Sequence, residues 1–330
     1  MNFNTSVYPT AIPLVAEEYG VSEQKARVSQ LLLLVLYAFG CELWAPWSEE
    51  FGRWRILQAS LFLVNIWQIL SALAPNFGAL LVSRGLIGLS MAGGSVTIGM
   101  VADLYQADDQ QYAIAYVVLS SVLGTSVGPV VAGPITRFLP LAWNFWVQLI
   151  FGVVVQVVHF FMPESRSTII MDQEAKRRRK QDGEQIWGPN EVKHPRVSGK
   201  EFMITWARPF EMFFREPIVL SCSLLSGFSD ALIFTFQEGF HPVYEKWGFG
   251  TLAIAWAFIP INVGYFLAYA SYFPWIARDQ KMIKEKGPGS LQPERRLYWL
   301  LYLAPLEFFG LFGFAVSNDA LQKHNRMTRY

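Results

Sequence analysis

Residues 113–136 read AIAYVVLSSVLGTSVGPVVAGPIT, without one Asp, Glu, Lys or Arg. A helix rises 1.5 Å per residue, so about 20 residues cross a hydrocarbon core of about 30 Å. Backbone polar groups in lipid must be paired within the segment, which predicts a helix. Working outward, runs almost free of charge cover 56–75, 77–102, 141–162, 217–237, 251–277 and 297–316, and a further run, 29–46, contains one acid, Glu42. The short alternating segments of a membrane barrel are not seen. These eight runs are spans 2 to 9. Residues 6–15, interrupted by Pro9 and Pro13, read as the outer end of a span 1 whose beginning is missing. They lack the basic start of a signal peptide.

Composition agrees with a membrane solvent. Apolar residues make up 52% and charged residues 16% of the 330, where a soluble domain carries about 25% charged. The fold class expected is an all-α integral membrane bundle. Net charge is +1, which selects no nucleic acid. Cys41 and Cys222 lie inside spans and are expected as packed free thiols. His159, His194, His241 and His324 have no ligand spacing, so neither a metal site nor a cofactor is expected. No nucleophile–base pairing and no phosphate loop is evident, so no enzyme and no catalytic residue is predicted.

Charge alternates between the connections. Arg53 and Arg55, the 163–216 stretch and 278–296 hold 19 of the 27 Lys and Arg. The opposite set holds Lys25, Arg27, Arg137, Lys246 and three cations near the end of the chain. The positive-inside rule puts the first set in the cytoplasm. The 4–5 connection, with Asp108 and Asp109, is acidic instead. The 163–216 segment, with Lys176-Arg177-Arg178-Arg179-Lys180, reads as a solvated cytoplasmic linker beside anionic lipid, or as a specific lipid or partner site. It divides a first half, 1–162, from 217–316, with 317–330 as a polar tail.

Glu17-Glu18-Tyr19-Gly20-Val21-Ser22 after span 1 is echoed by Glu245-Lys246-Trp247-Gly248-Phe249-Gly250 after span 7, each with a Pro shortly before (Pro13, Pro242). Equal placement suggests two related halves. By that offset the second half should run to about residue 390, so about three spans are expected to be missing, leaving 8 to 9 of 12.

Four groups of residues could carry function. Glu49, Gly52 and Arg53 sit at a cytoplasmic turn, where acid and base can form a latch that breaks when helices part; a plain basic loop is the alternative. Gly124, Gly128, Pro129, Gly133 and Pro134 give span 5 a flat face and remove backbone donors. Arg84 in span 4 either faces a partner or wet cavity, or snorkels to the outer interface. Glu42, Asp230, Glu238 and Glu307 are acids in or beside spans and could carry a proton, Asp230 being the most central.

These motifs resemble the major facilitator superfamily, within it the fungal twelve-spanner drug–proton antiporters. Ala45 to Arg55 is similar to the loop 2–3 motif, with Ala45 for Gly and Trp54 for a basic residue. Arg84 with Gly88 resembles the span 4 motif, and Gly124, Gly128, Pro129 and Gly133 the span 5 antiporter motif. Pro163-Glu164-Ser165-Arg166, Arg208-Pro209-Phe210, Glu216-Pro217 and Pro293-Glu294-Arg295-Arg296 resemble further motifs in order, and Glu238 matches a common acid. The resemblance implies proton-coupled export of a small organic compound (drug, toxin or polyamine) by alternating access. It implies coupling through Arg84 and the span 5 motif, with Glu238 as a matching acid, and a latch at Glu49, Gly52 and Arg53. Asp230, where the family usually has an aromatic, is a coupling candidate from its mid-span position alone. A monomer in the lipid bilayer, multi-pass and in the plasma membrane, is expected. The competing expectation is a non-transporting truncated remnant of such a transporter.

Overall fold

The computed structural model describes the backbone of residues 1–91, 93–106, 109–183, 185–192, 199–287 and 293–327. Side chains at 199–202, 205, 293, 296 and 319–327 are excepted. Ala92, Asp108, His194 and the side chain of His324 thus lie outside the described residues, as do the side chains of Pro293 and Arg296.

Helices follow the long apolar runs. They are α1 (Asn2–Glu18), α2 (Glu23–Phe51), α3 (Arg53–Ala72), α4 (Phe77–Ser90), α5 (Gly93–Leu104), α6 (Gln110–Phe138) and α7 (Ala142–Phe160). The linker holds α8 (Ser167–Asp182), α9 (Pro189–Val192) and α10 (Gly199–Arg215). Then come α11 (Pro217–Lys246), α12 (Thr251–Trp256), α13 (Ile259–Lys286), a 3-10 turn at Pro293–Leu297 and α14 (Tyr298–Met327). Eight stretches are long and apolar enough to cross a membrane, with α4–α5 and α12–α13 each forming one span. No strand occurs among the described residues. The polar tail expected at 317–330 continues α14 as helix as far as Met327.

Local chemistry sets the ends. Ser22 caps α2 by accepting from the Lys25 N–H, and Asn76 caps α4 through Ala79. The echoed segments end their helices alike. Gly20 and Gly248 have φ of 61° and 80°, values that glycine adopts without steric cost. The N–H of each donates three residues back, to Glu17 and Glu245. The next N–H reaches five back, from Val21 to Ala16 and from Phe249 to Tyr244, closing both helices with one motif. The short sequence match is therefore also a match of turn geometry.

In the first half each early helix packs on a later one: α1 on α6, α2 on α4, α3 on α7. Small residues permit the approach. A Cβ on Gly88 would strike the Leu33 carbonyl, and one on Gly40 the Leu89 carbonyl. Polar side chains face inward. Along α3–α7, Gln58 meets His159 at 2.9 Å, Asn65 meets Gln156 at 2.8 Å and Gln68 meets Gln148 at 3.0 Å. Val153, Val154, Val157 and Val158 of α7 face out. Polar inside and apolar outside suits lipid as solvent. None of the apolar window of α11 or α14 is buried, so both present their length to lipid or to further protein. The second half meets the first chiefly where α12 and α13 lie on α6.

Candidate functional site

At the inner end, one residue separates α2 from α3. Gly52 has φ of 101°, and a Cβ there would strike the Glu164 carboxylate. Glu164 caps α3, accepting from the Arg53 N–H at 2.9 Å and the Trp54 N–H at 3.3 Å. It also takes the N–H groups of Ser165 and Arg166, both at 3.0 Å. The Arg53 guanidinium is buried. It donates to Asp103 at the end of α5 (3.0 Å) and to Ser48 (2.5 Å). Arg166 holds the other Asp103 oxygen at 2.9 Å. The partner expected from sequence, Glu49, is 54% exposed and 3.7 Å away. The centre of this cluster is thus Arg53–Asp103–Arg166, which ties α2, α3, α5 and the exit of α7 together. Glu49 is left at its edge.

Arg84 is fully buried, which settles the choice against snorkelling. Its guanidinium carbon sits 4.2 Å from the centre of the Tyr8 ring. It donates to Gln30 Oε1 at 2.6 Å and to the Asn4 carbonyl at 3.5 Å. Gln30 in turn donates to the Thr5 carbonyl at 2.8 Å. The charge is held by a π face and neutral oxygens at the meeting of α1, α2 and α4, and its Nε has no hydrogen-bond partner among the described residues. No described ion pair joins Arg84 to a carboxylate.

The small residues of α6 serve two neighbours. Gly124 and Gly128 lie against α1, where Ser6 donates to the Gly124 carbonyl at 3.0 Å and would collide with a Cβ on Gly128. Gly133 faces Ala255 of α12, so it brings the second half close. Pro129 is buried, and α6 runs unbroken through Pro129 and Pro134.

The three coupling candidates are not gathered. Asp230 is exposed near the middle of α11. Glu238 lies about two helical turns further along α11 and pairs with Arg27 of α2 at 3.4 Å, a bridge between the halves. Gln237 beside it donates to the Thr125 carbonyl at 2.8 Å, and Ser126 donates to Asn262 at 2.7 Å. Glu307 and Tyr265 line a cavity of about 720 Å³ with Phe236, Phe240, Phe258 and Phe314. Asp103, Gln30 and Tyr8 were missed by sequence reasoning. Asp103 directly follows residues 85–102, which hold no Asp, Glu, Lys or Arg, and that is the one signal that could have marked it.

The described residues form an all-helical membrane bundle with paired helices, a charged cluster at one end and a buried arginine within a span. The sequence profile of the Major Facilitator Superfamily matches residues 1–321, and the chain belongs to that superfamily. It is similar to the MFS-type transporter kojT of Aspergillus flavus, at 30% identity over 93% of this chain and 56% of that protein. The multidrug transporter TPO3 of Candida glabrata is 30% identical over 90% of this chain and 47% of its own length. The chain therefore spans about half the length of these relatives. The crystal structure of the human organic anion transporter MFSD10 overlaps 80% of this chain and 62% of that one, with 20% identity and a TM-score of 0.46.

Proposed function

We propose that this chain works in proton-coupled export of small organic compounds across the plasma membrane, as a monomer, by alternating access. Residues 1–162 act as one rocking half, 163–216 as the cytoplasmic linker and 217–316 as part of the other half. The observation that carries the reading is Arg84: a buried cation held without a described carboxylate, in a wall between three helices. Intramembrane charge is costly and is kept where solute or protons pass. A fixed positive charge also lowers the proton affinity of any acid that approaches it, which couples the rocking of the halves to protonation. Glu238 is the acid whose release from Arg27 opens the outer end, and Asp230 faces the solute path in the opened state. The inner cluster around Arg53 stiffens the first half so that it moves as a body. The relative named as a multidrug transporter supports a drug-like or toxin-like solute.

The test is export of a panel of labelled organic compounds from cells making the protein, with internal pH followed in vesicles. Export with matching proton entry, lost in Arg84→Ala at equal protein level, is expected. Unchanged flux in that variant removes Arg84 from the mechanism, and export without proton movement overturns the coupling.

A further inference from the structure

α10 lies outside the spans yet carries an apolar stripe. Met203, Trp206, Phe210, Phe213 and Phe214 recur at three- and four-residue spacing, which gathers them on one side of a helix. Phe214 and Met203 are 81% and 58% exposed, and Phe210 is exposed as well. Arg208 and Glu211 take the opposite side, with Arg215 bonded to Glu211 at 2.5 Å. α2 and α11 are its chief neighbours. Trp206 and Phe213 are half-buried, and Met203, Phe210 and Phe214 are exposed.

Position identifies the cover. Only Glu216 stands between Arg215 and Pro217, the first residue of span α11. Glu216 is extended (φ −108°, ψ 108°), and Pro217 starts a new helix without an N–H to lose. α10 is thus anchored at the inner end of a membrane span, at headgroup depth. The lipid-facing surface continues directly beyond the break, where Ile218 is 71% exposed. An apolar stripe with aromatic residues and a charged opposite side is the pattern of a helix lying in a bilayer interface.

We propose that α10 is an in-plane helix of the inner leaflet. Met203, Phe210 and Phe214 enter the boundary between acyl chains and headgroups, and Arg208 stays at the phosphate level. The linker is then tied to the bilayer at its second end, and the second half carries this helix through the leaflet when it moves.

The test uses the whole chain in lipid nanodiscs, with Cys41→Ser and Cys222→Ser and single spin labels at Met203→Cys, Phe214→Cys, Arg208→Cys or Glu211→Cys. Labels at 203 and 214 should meet dissolved oxygen more readily than a water-soluble nickel complex, by a ratio roughly threefold above that at 208 and 211. Equal nickel access on both sides puts the helix in water and overturns the proposal. Shielding of 203 and 214 from both reagents means a protein cover and overturns it equally. A second measurement needs no variant: a photoactivated probe dissolved in the lipid should label the 203–214 peptide of the unaltered chain. Labelling confined to the spans contradicts the inference.

Discussion

Arg84 and Arg53 are both buried arginines, yet they are held in opposite ways, and that separates their expected effects. Arg53 has a true counter-charge in Asp103, and Asp103 is itself only 13% exposed. Removing one partner of a buried pair leaves a charge without compensation, which costs about 3–5 kcal/mol. Asp103→Asn should therefore lower the melting temperature in detergent clearly. Glu49→Gln, at an exposed edge, should cost no more than about 1 kcal/mol. Equal losses would show that Glu49 anchors Arg53 as firmly as Asp103 does. For Arg84 the π face and amide oxygens return only part of the lost hydration. Replacing a buried ion by an apolar side chain of similar volume is often neutral or stabilising. Arg84→Met is expected to melt at or above the parent temperature and to export nothing. A variant that merely unfolds would give Arg84 a structural role. In the linker, the Glu191 carboxyl accepts from Arg179 at 2.7 Å, and this bond holds its pKa down at about 2. A depressed carboxylate adds stability above its unfolded value, and that contribution is lost as pH falls through about 2. The α8–α9 clasp should therefore keep its hydrogen-exchange protection from neutral pH well into the acid range. Loss of protection near the ordinary Glu value would contradict the pairing.

The helix with the plainest sequence pattern, α6, shows what a pattern can and cannot say. Gly124, Gly128 and Gly133 were legible as a surface for close approach. Spacing does not say which neighbour approaches, because glycines every four or five residues drift around the helix. The structure gives Gly124 and Gly128 to α1 and Gly133 to α12. Two outcomes follow from that split. Gly128→Val drives a branched side chain into Ser6, an overpacking cost of about 1–3 kcal/mol, and should reduce the yield of folded protein. Gly133→Val presses on α12, at Ala255 and beside the Thr251 carbonyl, so the first half should stay intact while the outer contact between halves loosens. Cross-linking of Arg27→Cys to Glu238→Cys by a short bifunctional maleimide, which spans the distance the two long side chains bridge, reads that contact. It should fall in Gly133→Val, and undiminished cross-linking would mean that Gly133 does not set the approach. The inner cluster was legible only in part for a related reason. Arg53 and Gly52 stand in one short loop, but Asp103 and Arg166 reach them from distant sequence, and no local period marks a contact across such separations.

For the molecule as a whole, length and hydropathy were enough to place the spans, since lipid forbids unpaired backbone and leaves helices as the solution for runs like these. The pairing of α1 with α6, α2 with α4 and α3 with α7 was not legible, because it depends on which faces fit. Orientation was read from cations alone, 19 of 27 on one set of connections, and it makes a prediction that the fold itself cannot. Gln181 lies exposed on the linker helix α8, and Glu245 is 69% exposed at the far end of α11. With Cys41 and Cys222 replaced by Ser, Glu245→Cys should react with a membrane-impermeant maleimide on intact cells. Gln181→Cys should react only after the membrane is opened. The free energy behind this asymmetry acts on each basic residue near a span end during insertion, so the outcome should not depend on whether the transporter is active. The reverse labelling would turn the molecule over and move Arg27–Glu238 to the cytoplasmic end. The proposed direction of proton flow would then have to be reversed with it.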